Sequence, residues 1–259
     1  METKKPNNED SYSNDKDILL KVESISKYFG AMAALKDLSF NVFSGEVFGI
    51  AGPNGAGKTT LFNVITKFLN PDGGKIQFKD KYIHKLNPNK ICELGIARTF
   101  QIPALFESLT TYQNALVGAA FGNTDKDRNK LNLVKKNLEF VGLWEKKDII
   151  ADELSLYERK ALMVASALTT EPEMLLLDEP TAGLSKIESD HVMKLFKKIN
   201  NRNVTIIIIE HNMDVLMNIS ERVMIPDHGE KICEGPPGRV CKDEGVIEAY
   251  LGEEFMIER

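Results

Sequence analysis

The chain has 259 residues and a formal charge of -5 from 33 Lys and Arg against 38 Asp and Glu, with the cations scattered along its length. This length suits one large α/β domain with a lobe, and the acidic balance argues against DNA or RNA as the main partner. Cys92, Cys233 and Cys241 show no C-x-x-C spacing, which speaks against a metal or redox centre, and no apolar run approaches the roughly 20 residues a membrane span requires.

Residues Met1 to Asp17 are polar and charged without an apolar core, so they read as a disordered tail and not as a signal or transit peptide. Leu19 to Ser24 and Leu38 to Val42 read as short strands, and Gly45 to Ala51 as a buried one. That third strand runs into a glycine-rich loop. Thr59 to Phe68 then carries helical spacing, stopped by Asn70-Pro-Asp-Gly-Gly74. From about 102 to 164 the pattern changes to helical periodicity, with a helix over Asn129 to Phe140 after the polar linker Gly122-Asn-Thr-Asp-Lys-Asp127, which predicts a helical insertion. Met174 to Asp178 and Val204 to Ile209 are apolar on both faces, as strands of a helix-covered parallel sheet must be, and a helix around Ile187 to Ile199 divides them. No internal repeat is present.

Gly52-Pro-Asn-Gly-Ala-Gly-Lys-Thr59 fits G-x-x-x-x-G-K-[ST] between a predicted strand and a predicted helix. Glycines let successive backbone N–H groups turn inward around a phosphate, and the helix N-terminus adds partial positive charge at the same point. Gly52, Pro53, Asn54, Gly55, Ala56, Gly57, Lys58, Thr59 and Thr60 are therefore expected to contact a nucleotide. Lys58 reaches the β- and γ-phosphates, and the Thr59 hydroxyl holds Mg²⁺. The strand Met174 to Asp178 ends in two acids. Asp178 suits Mg²⁺, held through water, and Glu179 suits polarising an attacking water.

A third cluster, Leu154-Ser155-Leu-Tyr-Glu158 before the apolar run Ala161 to Leu168, resembles the signature of the ABC ATPases. Gln101 resembles that family's Q-loop glutamine, Phe29 (beside Tyr28) the aromatic that stacks on adenine, and His211 the switch histidine. All occur in family order over residues 18 to 253. The resemblance implies an α/β fold, an ABC-type P-loop NTPase core with a small antiparallel β subdomain and the insertion as a helical subdomain, followed by a short tail over 254–259. It implies ATP and Mg²⁺ as ligands, with Gln101 sensing the metal and γ-phosphate, Glu179, His211, Gln101 and Lys58 as catalytic groups, and Ser155 touching ATP held by a partner subunit. His84, His191 and His228 match no motif and read as structural.

Gly95-Ile-Ala-Arg-Thr-Phe-Gln101, Thr181-Ala-Gly-Leu184, Glu210-His-Asn-Met213 and Val246 to Gly252 are similar to one subfamily, the Liv-type ATPases of branched-chain amino acid importers. The run Tyr250 to Phe255 also resembles lipopolysaccharide-export ATPases. Non-transport ABC ATPases usually carry two such domains or a long coiled coil, and neither is seen here. The importer resemblance implies a cytoplasmic subunit, peripheral on the inner face of the membrane, working with a second ABC ATPase, integral membrane permeases and, indirectly, a substrate-binding protein. Ile102 to Leu109 either receives a membrane subunit or packs within the insertion. Two departures stand out: Leu156 and Tyr157 replace the small residues usual in the signature, and Ser185 replaces the usual aspartate. If the signature glycine has φ > 0, Tyr157 is strained by roughly 1–2 kcal/mol. A heterodimer with unequal sites is expected from this, with a homodimer as the alternative.

Overall fold

Two long strands, β1 (Ile18–Phe29) and β2 (Met32–Phe43), open the chain in the computed structural model, which describes residues 17–122 and 129–257. The tail expected up to residue 17 and the linker after Gly122 thus fall almost wholly outside the described residues. Both strands outrun their expected lengths because bulges interrupt the alternation. Ser24 and Asp37 each adopt φ 50°, and their amides donate to the Ser39 and Ser26 hydroxyls at 2.8 and 3.0 Å in place of ladder bonds.

Strand β3 (Val47–Ile50), helix α1 (Lys58–Ile65), β4 (Gly73–Phe78), β5 (Lys81–Tyr82), α2 (Pro88–Glu93) and β6 (Ile96–Arg98) follow. The insertion supplies α3 (Thr111–Phe121), α4 (Lys130–Phe140) and α5 (Leu156–Leu168), and the chain then returns through β7 (Met174–Asp178), α6 (Lys186–Asn200), β8 (Thr205–Ile209) and α7 (Met213–Ile219). It closes with β9 (Arg222–Asp227), β10 (Glu230–Gly235), α8 (Pro237–Val240) and α9 (Glu244–Ile257). Helix α9 continues past residue 253, so the tail expected from 254 is helical to Ile257.

The strands form an antiparallel sheet in the order β2-β1-β4-β5 and a larger sheet in the order β10-β9-β3-β8-β7-β6, parallel except for β10. Period-two alternation sorts the larger sheet between two cores. Phe48, Ile50, Leu176, Ile207 and Ile209 face the antiparallel sheet and α1, whereas Val47, Leu175, Leu177, Ile206 and Ile208 face α5, α6 and α7. The third core lies in the insertion around Ala115, Val134 and Leu138. Helix α5 belongs to two of these cores: Ala161, Leu162 and Ala165 join the insertion, and Val164, Ala167 and Leu168 join the sheet. The expected boundary near 164 therefore falls inside a helix shared by both parts. Among the described residues no helix is long and apolar enough to cross a membrane.

Candidate functional site

The loop between β3 and α1 is shaped by what a side chain would strike. A Cβ on Gly57, which sits at φ 94° as the cap of α1, would lie 2.2 Å from the Ala34 carbonyl, and one on Gly52 would lie 2.4 Å from that of Pro226. Strand β2 on one side and β9 on the other hold the loop so closely that only glycine fits at these points. Lys58 is buried within it, its ammonium donating to the carbonyls of Gly52 at 2.6 Å and Pro53 at 2.7 Å. Asn54, Gly55 and Thr59 are exposed.

An open cleft is lined by Phe29, Met32, Ala33, Ala34, residues 54–60, Glu179, His211 and His228. Phe29 stands on this wall at the hairpin between β1 and β2, half-exposed, with the Lys27 ammonium 5.8 Å from its ring centroid. Tyr28 does not line the cleft, and its amide is tied to Asp72 at 2.7 Å. His228, read from sequence as structural, stands almost fully exposed on the same cleft. Its signal was absent because only the turn between β9 and β10, packed on β2 through the bond from Lys36 N to Gly229 O at 2.9 Å, carries it there. His84 and His191 keep structural places, His84 against the Ile76 backbone and His191 edge-on to Tyr157.

Glu179 is the centre of a polar cluster. The Gln101 amide donates to Oε2, and His211 Nε2 lies 2.7 Å from Oε1. Its backbone adopts φ 44°, a conformation that costs a non-glycine residue on the order of 1–3 kcal/mol and persists only where surroundings enforce it. Here they do: its amide donates to Ile209 O at 2.9 Å, and its carbonyl accepts from the buried Lys160 ammonium at 3.1 Å. Burial lowers the Lys160 pKa against the pull of Glu210 and Glu179. Burial also raises the Glu210 carboxyl, which accepts from Thr181 N and Oγ1 at 2.8 and 2.7 Å and so pins the loop after Glu179.

Asp178 closes β7 in the core, its Oδ2 paired with Arg98 Nη2 at 2.7 Å. Burial raises its pKa, opposed by the guanidinium. Neither Arg98 nor Lys160 has a role in the motifs legible in the sequence. For Arg98 the available signal was a cation at the end of an apolar strand; Lys160, which follows Glu158 and Arg159, offered none.

Ser155 lies apart from the cleft as the cap of α5. Its hydroxyl accepts from Glu158 N at 3.3 Å, and the Glu158 carboxylate accepts from Ser155 N at 3.0 Å. Such a reciprocal box is legible as S-x-x-E. It corrects the expectation for Tyr157: helix begins at Leu156, Tyr157 is not among the residues with positive φ, and no left-handed penalty arises. Ser185 caps α6 by the same device with Glu188. Serine and aspartate are comparable helix caps, which explains the exchange there.

The arrangement offers backbone donors and an ammonium for phosphates, an aromatic wall, and a carboxylate held between an amide and an imidazole. Residues 35–182 match the family model described as ABC transporter, and residues 230–256 match that described as branched-chain amino acid ATP-binding cassette transporter. The chain is 34% identical over 250 residues to the high-affinity branched-chain amino acid transport ATP-binding protein LivG of Escherichia coli (strain K12), covering 91% of this chain and 98% of that one. It is 34% identical over 251 residues, with the same coverage, to the probable branched-chain amino acid transport ATP-binding protein LivG of Methanocaldococcus jannaschii. Among solved structures, a nucleotide-free ATP-binding cassette from an ABC transporter aligns with TM-score 0.84 at 33% identity, covering 90% of this chain and 99% of that chain. The ADP conformation of an ATP-binding cassette of an ABC transporter aligns with the same score and identity, covering 91% and 99%.

Proposed function

The chain belongs to the ABC transporter family of ATP-binding cassettes and hydrolyses ATP, and we propose that it powers import of branched-chain or related amino acids through separate membrane subunits. The observation that carries this reading is the convergence of residues 54–60, Glu179 and His211 on one cleft walled by Phe29. The match over residues 230–256 supports the importer over a lipopolysaccharide exporter.

In this reading Phe29 stacks on adenine, and the amides of residues 54–60 with Lys58 bind the phosphates. The Thr59 hydroxyl, the Asp178 carboxylate and the Gln101 amide oxygen are hard oxygen donors of the kind Mg²⁺ takes, so the donor set fits that ion. Mg²⁺, when bound, offsets the charge of the phosphates. Glu179 draws a proton from the attacking water, and His211 and Gln101 hold its carboxylate in place. Ser155 and the amides behind it meet the ATP of a second cassette subunit docked head to tail.

Ile102 and Phe106 are exposed beside Gln101, while Leu105 packs into the insertion core. Leu105 and the bonds between Asn114 and the backbone of Phe106 and Leu109 hold the segment on the insertion, and the exposed side chains of Ile102 and Phe106 are the surface proposed for a membrane subunit. Co-purification with the membrane subunits, followed by leucine uptake into vesicles, tests the function. Phe106→Asp should stop uptake and leave the ATPase of the free subunit within about twofold, as an exposed site allows. Equal loss of both activities would return Phe106 to a packing role, and failure of any branched-chain amino acid to enter would reject the cargo.

The second subunit is a different ATPase. With the strain at Tyr157 gone, the support is Leu156, whose half-exposed side chain stands at the start of α5 against Gly183, where a Cβ would lie 3.0 Å from Leu156 Cδ2. Bulk at that point impedes approach to the amides at the start of α5. Alone, the chain should turn over roughly 10²-fold more slowly than with a companion whose signature keeps small residues. Full, cooperative activity as a homodimer would refute the heterodimer.

A further inference from the structure

Arg98 is gripped through both terminal nitrogens, while its buried Nε has no partner among the described residues. Nη2 donates to Asp178 Oδ2 at 2.7 Å, and Nη1 donates to Asn63 Oδ1 at 2.7 Å and to Thr66 Oγ1 at 3.3 Å. Its guanidinium lies 5.4 Å from the Phe62 ring centroid and 4.9 Å from that of Phe100. The side chains of Arg98 and Asp178 are only 5% and 4% exposed, so neither charge has water to fall back on. These contacts join three elements. Asn63 lies on α1, which begins beside Thr59. Asp178 ends β7, and Arg98 itself ends β6, three residues before Gln101.

Thr59, Asp178 and Gln101 are the three residues assigned above to Mg²⁺: Thr59 lies on α1, Asp178 on β7, and Gln101 three residues beyond the end of β6. We infer that Arg98 is the positioning residue of the metal site, fixing the spacing of these three donors and committing Asp178 Oδ2 so that Oδ1 is the oxygen left for the ion. A planar fork suits this role because one group bonds two elements at fixed angles, which an ammonium cannot do. Arg98 touches neither nucleotide nor metal in this role; it acts through Asp178 and α1. The inference rests on the reading of Asp178 as the metal acid.

The test separates metal binding from nucleotide binding. A fluorescent ATP analogue is titrated into the full chain in EDTA and across a Mg²⁺ series, and Mn²⁺ binding to the ATP complex is followed by electron paramagnetic resonance. Arg98→Gln should weaken metal binding about tenfold, the scale for losing a group that orients a ligand. Affinity for the analogue in EDTA should stay within about twofold. Because Arg98 acts through Asp178, adding Arg98→Gln to Asp178→Asn should cause no further loss of metal affinity. If Arg98→Gln does not fold, Asn63→Ala, which removes one grip on the guanidinium, should shift metal binding the same way by about two- to threefold. Equal loss of analogue affinity with and without metal, or an unchanged metal response in a folded variant, would overturn the inference. A native chain whose analogue affinity ignores Mg²⁺ would instead remove the reading of Asp178 on which it stands.

Discussion

Glu179→Gln should lower the ATPase rate by about 10²–10⁴-fold, the range a positioned general base supplies, while ATP still binds. The substitution keeps the volume of the side chain and removes only its basicity. Its local bonds also change in a defined way. The Gln101 amide donates to one oxygen and His211 Nε2 lies 2.7 Å from the other, so the new amide nitrogen keeps its contact only where the imidazole Nε2 is unprotonated or the Gln101 amide turns over. In the reading proposed above, nucleotide affinity rests on the loop of residues 54–60 and Phe29 and should be unchanged. ATP-bound dimers should accumulate and be seen by light scattering in the presence of the companion subunit. Turnover at the native rate would remove Glu179 from the chemistry altogether. Loss of ATP binding together with turnover would mean that the variant had damaged the loop and not the base.

Arg222→Ala should destabilise the fold by about 3–5 kcal/mol, because it strands a buried carboxylate. Glu46 is 2% exposed and lies 2.9 and 3.1 Å from Arg222 Nη1 through its two oxygens. The same guanidinium pairs with Glu234, bonds the Asn41 carbonyl and stacks on Phe43 and Phe48, so it joins β2, β3, β9 and β10. Burial already holds the Glu46 pKa above 4.5, with Arg222 the strongest opposing influence. Without Arg222 the folded value rises further. A carboxyl whose folded pKa exceeds its unfolded value imposes no penalty below the unfolded value and takes stability away as pH rises through the folded one. The deficit of Arg222→Ala relative to the native chain should accordingly widen from pH 5 to pH 8 in urea unfolding. A deficit that narrowed with rising pH would show that Glu46 is not the group left unpaired.

Most of what the sequence made legible was local. Strand β7 and the body of β8 were placed to within a residue because Leu175 to Leu177 and Ile206 to Ile208 are apolar on both faces. The phosphate loop was readable because its chemistry is contiguous. Strand β1 was cut short at Ser24 because a bulge there breaks the alternation on which strand reading depends. What stayed hidden were pairings across long stretches of chain: Arg98 with Asp178, Lys160 with the Glu179 carbonyl, Arg222 with Glu46. Each places a cation against an acid or carbonyl brought near only by sheet order. Tyr157 shows the converse failure. The strain expected there followed from the glycine it replaces, whereas the helix that starts at Leu156 gives any residue at that position an ordinary conformation.

The double membership of α5 has a mechanical consequence. Its last turn is embedded beside the large sheet through Ala167 and Leu168, while Ala161 and Leu162 nearer its start lie in the insertion. Tyr157 near its start also packs against the sheet core, so a tilt about the C-terminal turn moves Tyr157 over the sheet as it swings Ser155. Thirteen residues make an arm of roughly 20 Å, so a tilt of about 10° would sweep Ser155 through about 3 Å, close to the length of one hydrogen bond. Lys160, a third of the way along, would be carried a proportionate distance from the carbonyl of Glu179. In the dimer proposed above, a slight rotation delivered by a membrane subunit would reach both ATP sites through this one helix: the partner's through Ser155, and its own through Lys160.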